Sequence, residues 1–172
     1  MNKSKKTVSQ VVIDKLHLGC GADYKTGWFN VDILKSIRAD NHFDLNRLPY
    51  PFKDNQFKEV LMKMILEHLH EPLKILKEII RITDDGGKLT IIVPHATSYA
   101  NLTDLQHKTN FTENSFNKAL IREYDLEELE LIQTTFIFKN SWKKLIPLKK
   151  FLKIFLNGIY EDISFEFRIH KV

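Results

Sequence analysis

The fold is most clearly indicated by Lys15-Leu-His-Leu-Gly-Cys-Gly-Ala-Asp23, which is followed by Phe29-Asn-Val-Asp32. The pattern predicts a short strand, a tight turn at Gly19 and Gly21, and a second strand that ends in Asp32. Glycine has no Cβ atom, so the backbone of such a turn can bend sharply and approach a ligand closely. A carboxylate at the end of the next strand can accept two hydrogen bonds from the hydroxyls of a ribose. The two motifs therefore predict a site for a cofactor that contains a nucleoside.

The rest of the chain predicts strands that alternate with helices through its middle. The predicted strands are Leu16–Leu18, Phe29–Asp32, Asp40–Leu45, Lys58–Met64, Lys88–Val93, Leu129–Phe138 and Ser164–Lys171. One helix is expected from Pro72 to a turn at Asp84-Asp-Gly-Gly87, and another from a cap at Thr112 to about Tyr124. The first connection has only about ten residues, which is short for a crossover helix. This order favours an α/β fold with a mostly parallel sheet, an antiparallel C-terminal strand and a shortened first helix.

Several motifs, in this order and spacing, resemble the class I S-adenosylmethionine-dependent methyltransferases over roughly residues 15 to 95. The motifs are Leu16-His-Leu-Gly-Cys-Gly21, Asp32, Asp44-Leu45, Leu48-Pro-Tyr-Pro-Phe-Lys-Asp-Asn-Gln-Phe57, Leu66-Glu-His-Leu69, Leu76-Lys-Glu-Ile-Ile-Arg81 and Gly86-Gly-Lys-Leu89. The resemblance implies a Rossmann-like sheet, S-adenosyl-L-methionine as cofactor, and methyl transfer to an acceptor. Three departures are His17 where the family has an acid, Asp23 where it has a third glycine, and the nearly absent first helix.

The resemblance also implies which residues hold the cofactor. The expected cofactor-binding residues are Leu18, Gly19, Cys20, Gly21, Asp32, Ile33, Asp44, Leu45, Lys63 and Met64. Among them the turn would face the methionine part, Asp32 would bind the ribose, and Asp44 would accept a hydrogen bond from the adenine amine. An ordinary glycine turn and a solvated strand end are the alternative interpretations of the first two motifs.

A narrower resemblance concerns Gly21-Ala-Asp-Tyr-Lys-Thr-Gly-Trp-Phe-Asn-Val-Asp32 and Asp104-Leu-Gln-His-Lys-Thr-Asn-Phe-Thr112. These segments are similar to small methyltransferase-like proteins associated with surface-polysaccharide or glycolipid biosynthesis. The likeness implies O-methylation of a sugar or glycolipid-type acceptor. The alternatives are a catalytically inactive module that binds S-adenosylmethionine, and a nucleic-acid methyltransferase.

Candidate catalytic residues follow the predicted fifth strand, beyond the carboxyl ends of the strands where substrates bind in such sheets. His107, with Asp104 three residues before it, can act as a base and its orienting partner, and His95 is a weaker candidate. The alternative is that His107 and Asp104 stabilise the loop or shape the cofactor pocket. The spacing of these residues matches no metal motif, so no metal site is predicted.

A basic insertion is expected at residues 140–160, before the last strand. Six lysines and no acidic residue lie between Leu131 and Tyr160, and apolar residues recur at helical spacing. One interpretation is a helix that buries its apolar stripe on its own domain or in a homodimer. The other is a helix that lies peripherally on an anionic membrane or a lipid-linked acceptor. Because the excess of basic over acidic residues is confined to this segment, no nucleic-acid partner is expected.

The bulk properties fit a single methyltransferase domain over residues 1–172 with a flexible N-terminus at 1–12. The length of 172 residues is enough for a substantial core, and 43% of the residues are hydrophobic. The single cysteine, Cys20, excludes a disulfide framework within the chain. The polar stretch from Met1 to Lys6 does not resemble a signal peptide. A cytoplasmic protein is therefore expected, either free or at the inner face of the membrane.

Overall fold

A seven-stranded sheet forms the centre of the computed structural model, which describes residues 13–138 and 159–171. Its strands are β1 Lys15–Leu18, β2 Phe29–Asp32, β3 Asn41–His42, β4 Phe57–Lys63, β5 Thr83–Pro94, β6 Leu129–Ile137 and β7 Asp162–Ile169. They lie in the order β3-β2-β1-β4-β5-β7-β6. The first five strands pair in parallel, whereas β7 pairs antiparallel with both β5 and β6. The predicted α/β class, with a mostly parallel sheet and an antiparallel C-terminal strand, is confirmed.

Helices on the faces of the sheet cover an apolar core. They are a 3₁₀ turn at Leu66–His68 and the helices α1 Pro72–Ile82, α2 Tyr99–Thr103 and α3 Lys118–Glu123. The predicted helix from Pro72 is confirmed, and this proline occupies the first turn, where its missing N–H has no helical partner to lose. Leu76 and Ile79 of α1 are buried together with Leu16 and Met62 of the central strands. Burial of this apolar surface is the main force that joins helix and sheet.

Two predicted elements are shorter than expected because polar side chains bond to the nearby backbone. The predicted strand Asp40–Leu45 is reduced to β3, since the Asp44 carboxylate accepts a hydrogen bond from the backbone N–H of Asn46 at 2.9 Å and starts a turn. The helix predicted from Thr112 begins only at Lys118, where the Asn117 side chain accepts bonds from two backbone N–H groups. Such local bonds compete with regular secondary structure.

The turn predicted at residues 84–87 lies inside β5 instead of between a helix and a strand. β5 begins at Thr83, which pairs with Phe57, and pairing resumes when Lys88 meets Glu59. The four residues between these pairs bulge out of the ladder, and Gly86 has a φ of 72°. A bulge of this kind lets the strand keep its pairing on either side of the turn residues.

The connection between β1 and β2 contains turns and no helix, as expected. The backbone N–H of Cys20 donates to the carbonyl oxygen of Val31 at 2.9 Å, which holds the turn directly against β2. The basic insertion predicted at 140–160 lies, up to residue 158, outside the described residues, as does the N-terminal segment 1–12. Within the described residues, no helix has the length and hydropathy that a membrane span needs.

The strand order creates a crevice at the carboxyl end of β1. From β1 the chain moves to β2 and β3 on one side, and then returns to β4 on the other side. In open α/β sheets, ligands bind at this point of reversal.

A buried ion pair fixes the loop that continues from this crevice towards β4. Glu78 of α1 accepts hydrogen bonds from the backbone N–H of Tyr50 at 2.6 Å and from the guanidinium of Arg81 at 2.6 and 2.9 Å. The Tyr50 hydroxyl in turn donates to the carbonyl oxygen of Leu45 at 2.9 Å. Burial raises the pKa of Glu78, but the bonds from Arg81 and Tyr50 outweigh it, so the pKa lies below its usual value of 4.5.

Replacing Glu78 by glutamine is expected to destabilise the protein at neutral pH by about 1–3 kcal/mol, because charged hydrogen bonds are lost at a buried site. Since the folded-state pKa is lowered, the contribution of Glu78 is complete above about pH 4.5 and disappears as the pH falls through the folded value. Urea denaturation of wild type and variant between about pH 7 and pH 3 measures this difference. It should shrink on acidification, and a constant difference would contradict the assignment; Glu127→Gln, an exposed site, is the control.

Candidate cofactor and acceptor site

A cavity of about 190 Å³ lies in the crevice between the loops after β1, β2 and β4. The cavity is lined by Gly19, Asp32, Ile33, Asp44, Leu45, Asn46, Ile65, His68 and Leu69. The first five of these residues belong to the predicted cofactor site, so the structure brings them together around one space. The last four were not predicted, and they come from the loop after Asp44 and from the 3₁₀ turn after β4.

Asp32 joins the glycine turn to the loop that follows β2. One oxygen of its carboxylate accepts the backbone N–H of Gly21 at 2.8 Å, and the other accepts the N–H of Leu34 at 2.9 Å. The side chain is largely buried. Each carboxylate oxygen has a second lone pair, so Asp32 can still accept bonds from two ribose hydroxyls while it holds both loops.

Gly19, on one side of the crevice, packs closely against Ile65 on the other side. Its φ is +66°, and a Cβ atom placed there would lie 2.6 Å from Cγ1 and 2.8 Å from Cβ of Ile65. The Cβ atom of Ile65 moves only with its backbone, so no side-chain rotation could relieve this overlap. Met64, which precedes Ile65 in the chain, also has a positive φ of 54°. Strain of this kind in a non-glycine residue is typical of functional sites.

The opposite end of the cavity is formed by Asp44 and Leu45. The hydrogen bond from the backbone N–H of Asn46 lowers the pKa of Asp44, so this carboxylate is ionised at neutral pH. Leu45 is buried and its carbonyl oxygen is held by Tyr50. An ionised acceptor beside an apolar surface suits an adenine ring with its exocyclic amine.

Five predicted cofactor residues do not line the cavity: Leu18, Cys20, Gly21, Lys63 and Met64. Leu18 and Cys20 are buried beneath the turn. Gly21 takes part through its bond to Asp32, and a Cβ atom there would meet open space. Lys63 donates to the Asp23 carboxylate at 2.9 Å, which the sequence did not predict. That ion pair lowers the pKa of Asp23.

A cluster of polar side chains lies beside the cavity and shares His68 with it. Glu67 is fully buried, and neither of its carboxylate oxygens has a hydrogen-bond partner. Burial, reinforced by the negative charges of Asp162 and Asp104, raises the pKa of Glu67 to about 7. The ring of His68 packs edge-on against that of His107, with centroids 4.8 Å apart. Burial and the neighbouring His107 lower the pKa of His68.

Backbone hydrogen bonds bring His107 to this cluster from 39 residues further along the chain. The carbonyl oxygen of Glu67 accepts the N–H groups of Lys108 at 2.8 Å and Thr109 at 3.3 Å. The preceding helix α2, which the sequence did not predict, is capped by the Ser98 side chain. Asp104 ends this helix, and its carboxylate oxygen lies 3.6 Å from Nε2 of His107. The proximity of His107 and Asp104 agrees with the predicted pair.

His95 is placed differently from the other candidate catalytic residues. It is buried at the end of β5, where Nδ1 lies 2.9 Å from the Thr97 hydroxyl and Nε2 lies 3.4 Å from the Glu113 carboxylate. Its ring also packs against Tyr160. His95 does not line the cavity. Its contacts are those of a residue that fixes the loop after β5, so its predicted catalytic role stays a prediction.

A larger cavity of about 460 Å³ lies elsewhere, between α3 and β6. Its lining includes apolar residues such as Phe116, Ile121 and Leu129. It contains none of the predicted site residues. Because convergent polar groups, and not volume alone, characterise a binding site, the smaller cavity is the candidate site for the cofactor.

Comparison with known proteins concerns the family and the fold. Residues 16–91 match the protein family described as methyltransferase domain. The match covers 76 of the 172 residues, which is less than half of the chain. An uncharacterized protein of Methanocaldococcus jannaschii is 29% identical over 136 residues, which make up 72% of this chain and 57% of that protein. The chain therefore spans little more than half the length of this curated relative.

Solved structures share the fold of this chain at low sequence identity. A SAM-dependent methyltransferase from Archaeoglobus fulgidus has a TM-score of 0.66 and 15% identity, over 89% of this chain and 84% of that chain. The [4+2]-cyclase SpnF has a TM-score of 0.60 and 12% identity, over 94% and 79%. The predicted class I Rossmann-like fold is confirmed. The methyltransferases that share this fold use S-adenosylmethionine as their cofactor. The narrower resemblance to surface-polysaccharide proteins stays a prediction.

Asp32→Asn is expected to weaken binding of S-adenosylhomocysteine by about 10- to 100-fold, because hydrogen bonds to a charged acceptor contribute about 1.5–3 kcal/mol. The amide can accept through only one of its two terminal atoms, so the bond to Gly21 or to Leu34 is also lost. Isothermal titration calorimetry measures the affinity. The matched control is Asp125→Asn, an exposed acid far along the chain. Equal affinities of the two variants would contradict the role of Asp32.

Gly19→Ala is expected to destabilise the protein more than Gly27→Ala. Both residues have positive φ, which costs an alanine about 1–2 kcal/mol, but only Gly19 lacks space for a Cβ atom. The overlap with Ile65 should add about 1–3 kcal/mol. Chemical denaturation of the two variants measures the difference. In the double variant with Ile65→Ala part of the added loss should return, and strictly additive effects would exclude a direct contact.

Proposed function

We propose that the protein transfers the methyl group of S-adenosylmethionine to a hydroxyl of a sugar or glycolipid-type acceptor. The single observation that carries this proposal is that one residue, His68, borders both the cavity and the polar cluster around His107. His68 lines the cavity that holds Gly19, Asp32 and Asp44, and it also packs against His107. A nucleoside pocket and a group able to accept a proton are therefore neighbours.

The chemistry needs little beyond alignment and proton removal. The hydroxyl oxygen attacks the methyl carbon as the carbon–sulfur bond breaks, and the sulfur keeps the electron pair of that bond. Positioning the two reactants supplies much of the rate. His107 accepts the hydroxyl proton through Nε2, and Asp104 at 3.6 Å stabilises the imidazolium that forms. Asp32 and Asp44 hold the ribose and adenine in place.

The surface beside His107 supports an acceptor with an apolar part. Three large apolar side chains on α2 and in the loop after it are exposed: Tyr99 at 77%, Leu102 at 57% and Leu105 at 99%. An exposed apolar patch next to a polar cluster is typical of a surface that binds an amphiphilic ligand. Together with the narrower resemblance of the sequence, this patch favours a glycolipid-type acceptor over a free sugar.

A second candidate is a module that binds the nucleoside and catalyses nothing. The observations that favour it are the tight packing of Ile65 on Gly19 and the Lys63–Asp23 ion pair beside the turn. Both place side chains of the protein near the region expected to hold the methionine part. In this case the chain would bind S-adenosylhomocysteine as well as S-adenosylmethionine and release no product.

The proposal is tested with the full chain, S-adenosylmethionine labelled in its methyl group, and a panel of sugars, sugar nucleotides, extracted glycolipids and RNA. Turnover is followed by label transfer and by release of S-adenosylhomocysteine. His107→Ala should lower turnover by about 100-fold or more, as loss of a general base does, while the affinity for S-adenosylhomocysteine is unchanged. His170→Ala, an exposed histidine paired with Glu130, is the control.

Three outcomes would overturn the proposal. If the protein binds neither S-adenosylmethionine nor its product, the cofactor site is wrong. If it binds both and methylates no member of the panel, the inactive module is favoured. If label appears in RNA, with an affinity that falls steeply with salt, the acceptor is a nucleic acid.

A further inference from the structure

We infer that Glu67, His68 and His107 form a binding site for a divalent transition-metal cation of the Zn²⁺ type. The inference deepens the proposed function, on which its catalytic part rests, and assigns the cation to the acceptor side of the cavity. Each of the three residues offers one ligand atom, and these atoms lie within 4.8 Å of one another. Ligands of a tetrahedral Zn²⁺ ion lie about 2.0–2.2 Å from the metal, so small side-chain rotations would close the site.

Glu67 supplies the independent observation that points to a cation. The residue has no exposed surface, and both carboxylate oxygens lack a hydrogen-bond partner. The nearest ion-pair contact is Nε2 of His68, which lies 4.0 Å from Oε1. A buried carboxylate without compensation is costly, so it must carry a proton or face a positive charge. A cation between Glu67 and the two imidazoles would provide that charge.

The hydrogen bonds of His107 suit a metal ligand. The Asn101 amide group donates to the carbonyl oxygens of Ala96 and of the Asn110 side chain, so its own oxygen must act as an acceptor. That oxygen lies 3.1 Å from Nδ1 of His107, which therefore carries the hydrogen. The lone pair of the neutral ring is then on Nε2, whose neighbour is the Asp104 carboxylate at 3.6 Å. Histidines that bind metals usually donate their other N–H to an oxygen in this way, which fixes the ring.

The donor set selects the kind of cation. Two imidazoles and one carboxylate favour Zn²⁺ or a similar transition metal over Mg²⁺ and Ca²⁺, which prefer oxygen ligands. With three protein ligands, a tetrahedral ion keeps a fourth position open for water or substrate. Spacing along the sequence does not show this site, because His107 reaches it only through the bonds from Lys108 and Thr109 to Glu67.

A cation at this place would activate the acceptor. The acceptor hydroxyl binds in the open position, where the metal lowers its pKa. Its proton passes to the Asp104 carboxylate, the oxygen forms the bond to the methyl carbon, and the sulfur leaves with the electron pair. In this arrangement Nε2 of His107 binds the metal, so the Asp104 carboxylate takes over the role of proton acceptor that His107 has without a metal. No oxidation or reduction takes place.

The test is titration of the full chain, freed of metal with a chelator, with Zn²⁺ in a calorimeter, and with Mg²⁺ in parallel. We expect one Zn²⁺ per chain, a higher melting temperature in its presence, and no comparable response to Mg²⁺. Glu67→Gln and His107→Ala should each weaken Zn²⁺ binding by about 100-fold or more, since loss of a residue that merely orients a ligand already costs 10- to 100-fold. Glu67→Gln has nearly the same shape and removes a buried ionisable group, so it should fold.

Matched controls come from an exposed pair of the same residue types. Glu130→Gln and His170→Ala alter an exposed pair in which Nε2 of His170 lies 2.7 Å from Oε2 of Glu130. Both variants should bind Zn²⁺ as the wild type does. Zn²⁺ binding that survives Glu67→Gln, or that is lost equally in the control variants, would overturn the inference. So would an absence of binding.

Binding of S-adenosylhomocysteine by the same sample separates this inference from the proposed function. If S-adenosylhomocysteine binds and Zn²⁺ does not, the metal site is wrong and the cofactor site remains. If Zn²⁺ binds with the expected variant pattern and S-adenosylhomocysteine does not, the metal site stands and the proposed methyl transfer fails.

Discussion

The two hydrogen bonds that Asp32 accepts from the backbone are the constraint on which the rest of the site depends. They join the turn after β1 to the loop after β2, so that the crevice has a fixed wall before any ligand enters. A buried carboxylate needs such donors to offset the loss of hydration. The same bonds leave one lone pair on each carboxylate oxygen, and in the proposed binding mode these lone pairs accept the ribose hydroxyls. Gly19 completes the wall because only a residue without Cβ allows Ile65 to approach.

The two sides of the crevice are stabilised in different ways. On the adenine side, Glu78 and Arg81 compensate each other and hold Tyr50, which holds the carbonyl of Leu45. Both carboxylate oxygens of Glu78 have hydrogen-bond donors. On the acceptor side, Glu67 is buried without any. Such an imbalance is costly to folding, and its location next to the cavity favours a functional explanation over a purely structural one.

Local sequence was a reliable guide where one force dominates. The buried strands β4 and β5 and the helix from Pro72 were predicted because continuous or periodic apolar residues leave few alternatives. The bounds of helices and strands were predicted less accurately where polar side chains can bond to the nearby backbone or where a strand bulges. Examples are Asp44, Thr112 and the bulge of residues 84–87. Helix α2 has only five residues, and its cap, Ser98, is a common loop residue. Its apolar periodicity is too short to be recognised.

The amino-acid sequence by itself determined the class of sheet, the glycine turn, and the acid at the end of β2, because each depends on neighbours within a few positions. It also indicated Asp44 and the pair His107 and Asp104. Only the tertiary structure decided that Ile65 packs on Gly19, that His68 lies between the cavity and His107, and that Glu67 is buried beside His107. These contacts join residues from separate loops, and their geometry is set by strand order and by backbone bonds between loops, which no local pattern records.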